Sequence, residues 1–220
     1  MTPPARDAFA ALVLHRRPQR ARVGLTLGFV RTFAVPGIAE VLAGTGRLAE
    51  APKARAKATG AMMFALIGHG VDSPAGRGIV AELAAMHRLP GVDDELMRYV
   101  LACFTVCPVD FAGGTRAERD AATAFAADLA AALRIPPLPD DARGWMRGFE
   151  TAGFAPSDAG RALWRAVAPL FAARLPGPLA RHAPAFGAAL LDAPLRAAFA
   201  LPRPPLPLRA AAGLAFRLMR

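Results

Sequence analysis

The sequence predicts an all-α protein, and three observations carry that expectation. Hydrophobic residues make up 54% of the chain, alanine is the commonest of them and there is only one tyrosine. Alanine is the strongest helix former, whereas the β-branched and aromatic residues that favour sheet are few. Apolar positions recur at three- and four-residue spacing, as a single buried helical face requires. Proline and glycine then cut the pattern into helix-length segments, and no run is long enough to read as a strand.

A short helix is expected near residues 7–14, followed by one over about residues 20–34 that Pro36 breaks and that resumes as GIAEVLAG. The next helix ends at Gly68 to Gly70. Within it, residues 55, 59, 62 and 66 share one face, so Arg55 and Thr59 ride on the same stripe as Met62 and Leu66. A buried guanidinium needs an anion. No carboxylate lies on that stripe, so the partner comes from another helix, with Glu82 and Asp94 as candidates, or from an acidic ligand.

Ser73-Pro74 opens the following helix, proline being tolerated in a first turn. Its Ile79, Val80, Leu83, Met86 and His87 fall on one stripe, which directs His87 inward, and it stops before Pro90-Gly91. Asp93, Asp94 and Glu95 place carboxylates at the start of the helix LMRYVLACFTVC, where they complement the macrodipole. Thr115-Arg-Ala-Glu118 is a capping-box pattern opening a long helix to Arg134. The loop PPLPDD separates it from a helix carrying Trp145 and Phe149, and another helix beginning at 156–158 carries Trp164. The last quarter, punctuated by Pro176, Pro178, Pro184, Pro194 and PRPPLP, reads as short helices laid over the core. With no Gly/Ser-rich linker or charge block, residues 1–220 are expected to form one domain.

The net charge of +10 is almost wholly arginine, since Lys53 and Lys57 are the only lysines. The arginines are spread along the chain with one modest cluster at 15–22, and neither zinc-finger spacing nor an aromatic RNA-binding motif accompanies them. No nucleic-acid partner is expected. Cys103 and Cys107, one helical turn apart, read as small buried hydrophobes. A disulfide between them would strain the helix, and no basic neighbour favours either as a thiolate ligand. Absence of Cys-x-x-Cys-His excludes a covalent c-type haem. No apolar stretch reaches the ~18–20 residues of a spanning helix, and the AFAALVL run is too short for a signal peptide, so a cytoplasmic location is expected. The tail LPLRAAAGLAFRLMR permits an interfacial amphipathic helix at a membrane surface, or a last helix packed on the core with its arginines snorkelling outward.

Among the histidines, His87 is the best candidate metal ligand, its alternative being a core imidazole bonded to a backbone carbonyl. His69 closes the preceding helix, where a histidine favours the dipole; it is the chief rival ligand. His15 and His182 lie in arginine-rich, solvated segments. Thr59 could back-bond to its own helix or orient a small ligand. Glu40 could act as a general base, but Ile38, Val41 and Leu42 around it turn it to solvent.

The run from Arg31 to Asp110, with RTFAVPGIAEVLAGTGRL, KARAKAT, GHGVDSPAGRG, AAMHR and DDELMRYVLACFTVCPVDF, resembles the oxygenase MpaB family, which includes the catalytic domain of the latex-clearing rubber oxygenases. RAERDAATAFAADLAAALRIPPLP, WMRGFE and LLDAPLRAAFALPRPP extend the resemblance over most of the chain from about residue 25. The resemblance implies a globin-like helical core holding a non-covalent haem b. The family's Arg-x-x-x-Thr falls on Arg55 and Thr59, and its haem-ligating histidine on His87. Arg55 would then suit a haem propionate, and Thr59 would orient bound oxygen or a water.

The sequence departs from the latex-clearing enzymes where they carry a lysine before the threonine; Ala58 stands there, with Lys57 on another helical face. The N-terminus is shorter than in many relatives, so part of the substrate-covering layer is expected to be missing. The expected function is a haem b-dependent oxygenase acting with dioxygen on an apolar, isoprenoid-like small molecule, by oxidative cleavage of a carbon–carbon double bond. Two readings from other classes are a haem-binding protein without turnover and a helical module that docks on membrane surfaces.

Overall fold

The computed structural model describes residues 3–87, 90–174 and 181–219, and among these every regular element is a helix. The protein is all-α. In chain order the helices are α1 (Pro3–Ala10), α2 (Pro18–Thr32), α3 (Pro36–Gly44), α4 (Arg47–Glu50), α5 (Pro52–His69), α6 (Pro74–His87) and α7 (Asp94–Ala112). They continue as α8 (Arg116–Leu133), α9 (Ala142–Gly153), α10 (Asp158–Val167), α11 (Ala183–Leu190), α12 (Ala193–Ala198) and α13 (Leu206–Leu218). A π-helical turn, Ala11–Arg16, joins α1 to α2, and a 3₁₀ segment, Ala168–Arg174, follows α10. Pro176 and Pro178 lie outside the described residues.

Helix starts follow local chemistry closely. Asp93 caps α7 by accepting from the Leu96 amide at 2.8 Å, and Ser157 caps α10 by accepting from Gly160 at 3.0 Å. Both halves of the capping box on α8 form: the Thr115 amide donates to Glu118 Oε2 at 2.6 Å, and the Glu118 amide donates to Thr115 Oγ1 at 3.4 Å. Three features depart from expectation. The helix expected over 7–14 is α1 plus the π turn, where the Arg17 amide donates to Leu12 O, five residues back, at 2.9 Å. The helix expected over 20–34 runs from Pro18 to Thr32, and the four-residue α4 was not foreseen.

The described chain divides into two compact units that interleave in sequence: the first takes residues up to Thr32 and Lys57–Phe149, the second Phe33–Ala56 and Glu150–Met219. The first is built on α2 against α7, its most extensive helix pair. Glycines make that closeness possible. A β-carbon at Gly24 would stand 2.5 Å from the Cys107 carbonyl oxygen, and one at Gly28 2.3 Å from that of Cys103. Cys103 and Cys107 are thus small residues buried at a helix crossing. Phe9 of α1 meets Phe125 of α8 with ring centroids 5.4 Å apart, and the buried Tyr99 of α7 stacks on Phe149 at 4.4 Å. Arg17 donates to Ala112 O at 2.9 Å, satisfying a carbonyl at the C-terminus of α7. Arg16 pairs with the buried Glu118 carboxylate.

In the second unit, Trp164 of α10 is the centre of the core: it stacks on Phe199 at 5.6 Å and tilts against Phe171 at 6.1 Å. Gly160 of α10 lets the helix approach the Phe33 carbonyl, which an added β-carbon would meet at 2.4 Å. The Ala155 amide donates to Ala34 O at 3.0 Å, tying the approach to α10 to the approach to α3.

Candidate functional site

The turn between α5 and α6 fixes where His87 stands. Gly70 closes α5 with φ +78, a left-handed conformation that glycine adopts at no steric cost. Ser73 Oγ then accepts from the Gly76 amide at 2.9 Å while donating to Gly70 O at 3.0 Å, and Pro74 occupies the first helical position. A β-carbon at Gly76 would lie 1.9 Å from Gly70 O, so only glycine permits this tight return. Along α6, Gly76, Val80, Leu83 and His87 recur at i, i+4, i+7 and i+11, a single line on one face. Gly76 and Val80 are buried and Leu83 and His87 are half-buried, so the imidazole extends the most buried line of the helix at its C-terminal end. Ile79 and Met86, half-buried, flank that line.

His87 Nδ1 lies 2.8 Å from Leu83 O. A carbonyl only accepts, so Nδ1 carries the proton and donates; in the neutral ring the free lone pair is then on Nε2. This fixes both the tautomer and the ring orientation; it is the backbone bond expected of a core imidazole, and the same bond orients a histidine that ligates through its other nitrogen.

Arg55 and Thr59 share α5, one turn apart, and both are half-buried. The deepest side chains of α5 are Met63, Leu66 and Ile67, so the predicted stripe of Arg55, Thr59, Met62 and Leu66 follows the margin of the buried face. Contacts with α2 and the π turn explain that rotation. Gly60 lies against Leu25, Gly68 against Leu14, and the Arg22 guanidinium sits over the Phe64 ring at 5.7 Å. By contacts Arg55 belongs to the second unit, whereas Thr59 and His87 belong to the first. The first turn of α5 holds Lys53 and Arg55, followed by Lys57, and no carboxylate.

The remaining candidates take less central positions. His69 is the last residue of α5 and is exposed, as a C-terminal cap would be, and Glu40, Lys57 and Ala58 are exposed. Among the described residues no three His, Cys, Asp or Glu side chains gather as a metal cage. Haem asks less of a protein, since the macrocycle brings its own nitrogens: one imidazole with a free lone pair, apolar walls and a cation for the propionates. Within the first unit, His87 with its Nε2 and the face formed by Ile79, Leu83 and Met86 fit the ligand and wall of that donor set; Arg55, in the second unit, has the chemistry of a propionate partner.

A cavity of about 350 Å³ that the sequence did not signal opens between α7, α8 and the segment leading to α9. Its charges largely compensate one another. Arg143 pairs with Asp110, Arg116 lies 4.0 Å from Asp120, and Asp141 accepts from the Gly144 amide at 2.8 Å to cap α9. No family model, curated protein or solved structure matches this chain.

Proposed function

We propose that the protein is a haem b-dependent oxygenase of the cytoplasm, acting on an apolar and isoprenoid-like small molecule, with His87 as the residue that would hold the iron. The observation that supports the reading is the place of His87 at the C-terminal end of the buried line of α6, with Nδ1 bonded to Leu83 O so that Nε2 is the nitrogen left to ligate. Haem, when bound, supplies the redox-active iron at which dioxygen reacts. His87 would hold that iron through Nε2, while the bond to Leu83 O keeps the ring from turning. Arg55 offers a planar, permanently charged fork to a propionate, in a helix turn already rich in cations. Thr59 would offer a hydroxyl that can donate to an oxygen atom or hold a water. Ile79, Leu83 and Met86 supply apolar wall with few polar anchors, which suits a hydrocarbon substrate.

The test is turnover. Reduced protein supplied with haem and dioxygen is expected to consume oxygen and oxidise a small terpenoid alkene, with polymeric rubber a poorer substrate. Haem binding without oxygen consumption or alkene oxidation would leave a haem-binding protein without turnover as the correct reading.

A further inference from the structure

Three large hydrophobic side chains stand out to solvent among the described residues, Leu206, Leu214 and Leu218 at 74%, 59% and 73% exposure, and all three belong to α13. Helical spacing explains how. Ala212 is buried, and Leu208, Ala215 and Phe216 beside it are half-buried, so one face of α13 is spent on the second unit, where the helix packs against α11. Leu206, Ala210, Ala211, Leu214 and Leu218 project from the opposite side. A helix on the surface of a water-soluble body ordinarily carries polar residues there. Arginine is the only charged residue type from 193 to 219, with no Asp or Glu in that stretch, and Arg203, Arg209 and Arg217 are exposed.

We infer that α13 docks the protein on an anionic lipid surface, its outer leucines entering the acyl boundary while Arg203, Arg209 and Arg217 meet lipid phosphates. The composition of the face selects this occupant. A second copy of the chain would bring the same arginines opposite one another with no carboxylate in the segment to pair them. Protein interfaces are enriched in aromatic anchors, whereas this outer face carries leucine, alanine, Gly213 and Arg217 and no aromatic residue. The inference rests on α13 alone and is independent of the haem reading.

Co-sedimentation of the full chain with vesicles tests it, using phosphatidylcholine alone and phosphatidylcholine mixed with phosphatidylglycerol. The protein is expected to bind the anionic vesicles, to bind them less as salt rises, and to lose affinity on the order of tenfold or more in Leu214→Glu. A second variant, Leu218→Trp, reports the helix once the emission of the unmodified protein, from Trp145 and Trp164, is subtracted: the difference should shift to the blue on anionic vesicles and not on neutral ones. Undiminished binding by Leu214→Glu, or an unshifted Leu218→Trp emission, overturns the proposal. So does a dimer in lipid-free solution that Leu214→Glu dissolves, which would assign the face to a second copy.

Discussion

Arg55 sits in the first turn of α5, a turn without a carboxylate, while Lys53 and Lys57 project from the other side of the helix. If it holds a propionate, Arg55→Lys should restore only part of the haem affinity lost in Arg55→Ala, because lysine presents a point charge in place of a planar fork. The loss in Arg55→Ala is expected to be about 1–3 kcal/mol, read by haem titration. Unchanged affinity would assign the side chain to an ion pair within the protein. At Glu118 two roles converge on one carboxylate: it completes the capping box of α8 and pairs with Arg16 while almost wholly buried. Glu118→Ala should therefore destabilise by more than the ~1 kcal/mol of a cap alone, as equilibrium unfolding would show. A loss no larger than that of Thr115→Ala would mean that the ion pair contributes nothing.

The contact of α2 with α7 depends on two glycines, and the cost of filling that space follows from the geometry. Gly28→Ala puts a methyl 2.3 Å from the Cys103 carbonyl oxygen, a backbone atom that cannot swing aside. Separation of the two helices should cost roughly 1–3 kcal/mol by denaturant unfolding. Gly148→Ala, whose β-carbon meets nothing within 4 Å, should be neutral or slightly stabilising. Element starts were legible because each is written in one or two residues: Asp93, Thr115 with Glu118, Ser157, and Ser73 with Pro74. The α2–α7 crossing was not, for Gly24 and Gly28 acquire their role only from carbonyls eighty residues or so away in sequence. The orientation of α13 was equally hidden. Apolar residues occur all round that helix, so periodicity alone does not say which face turns inward.

For the molecule as a whole, the all-α class was readable from alanine content and punctuation, while the division of the chain into two interleaved units was not. That division depends on contacts between distant segments, which no local pattern encodes. The candidate site was partly legible: the line through Val80, Leu83 and His87 emerged from spacing, and the Nδ1 bond to Leu83 O is a side chain folding back on the carbonyl one turn earlier in its own helix. The rotation of α5 that moves Arg55 and Thr59 to the margin of its buried face required α2. Lys57 is exposed, so it is not expected to reach a haem held by His87; Lys57→Ala should leave the haem spectrum unchanged, and added imidazole should bind the ferric protein readily. The most direct measurement of the central claim is the visible spectrum of the purified chain titrated with haem, beside His87→Ala and His69→Ala. A saturable Soret band that shifts and loses occupancy in His87→Ala, and is unaltered in His69→Ala, is the predicted result; no Soret band on haem addition, or one indifferent to His87→Ala, would contradict it.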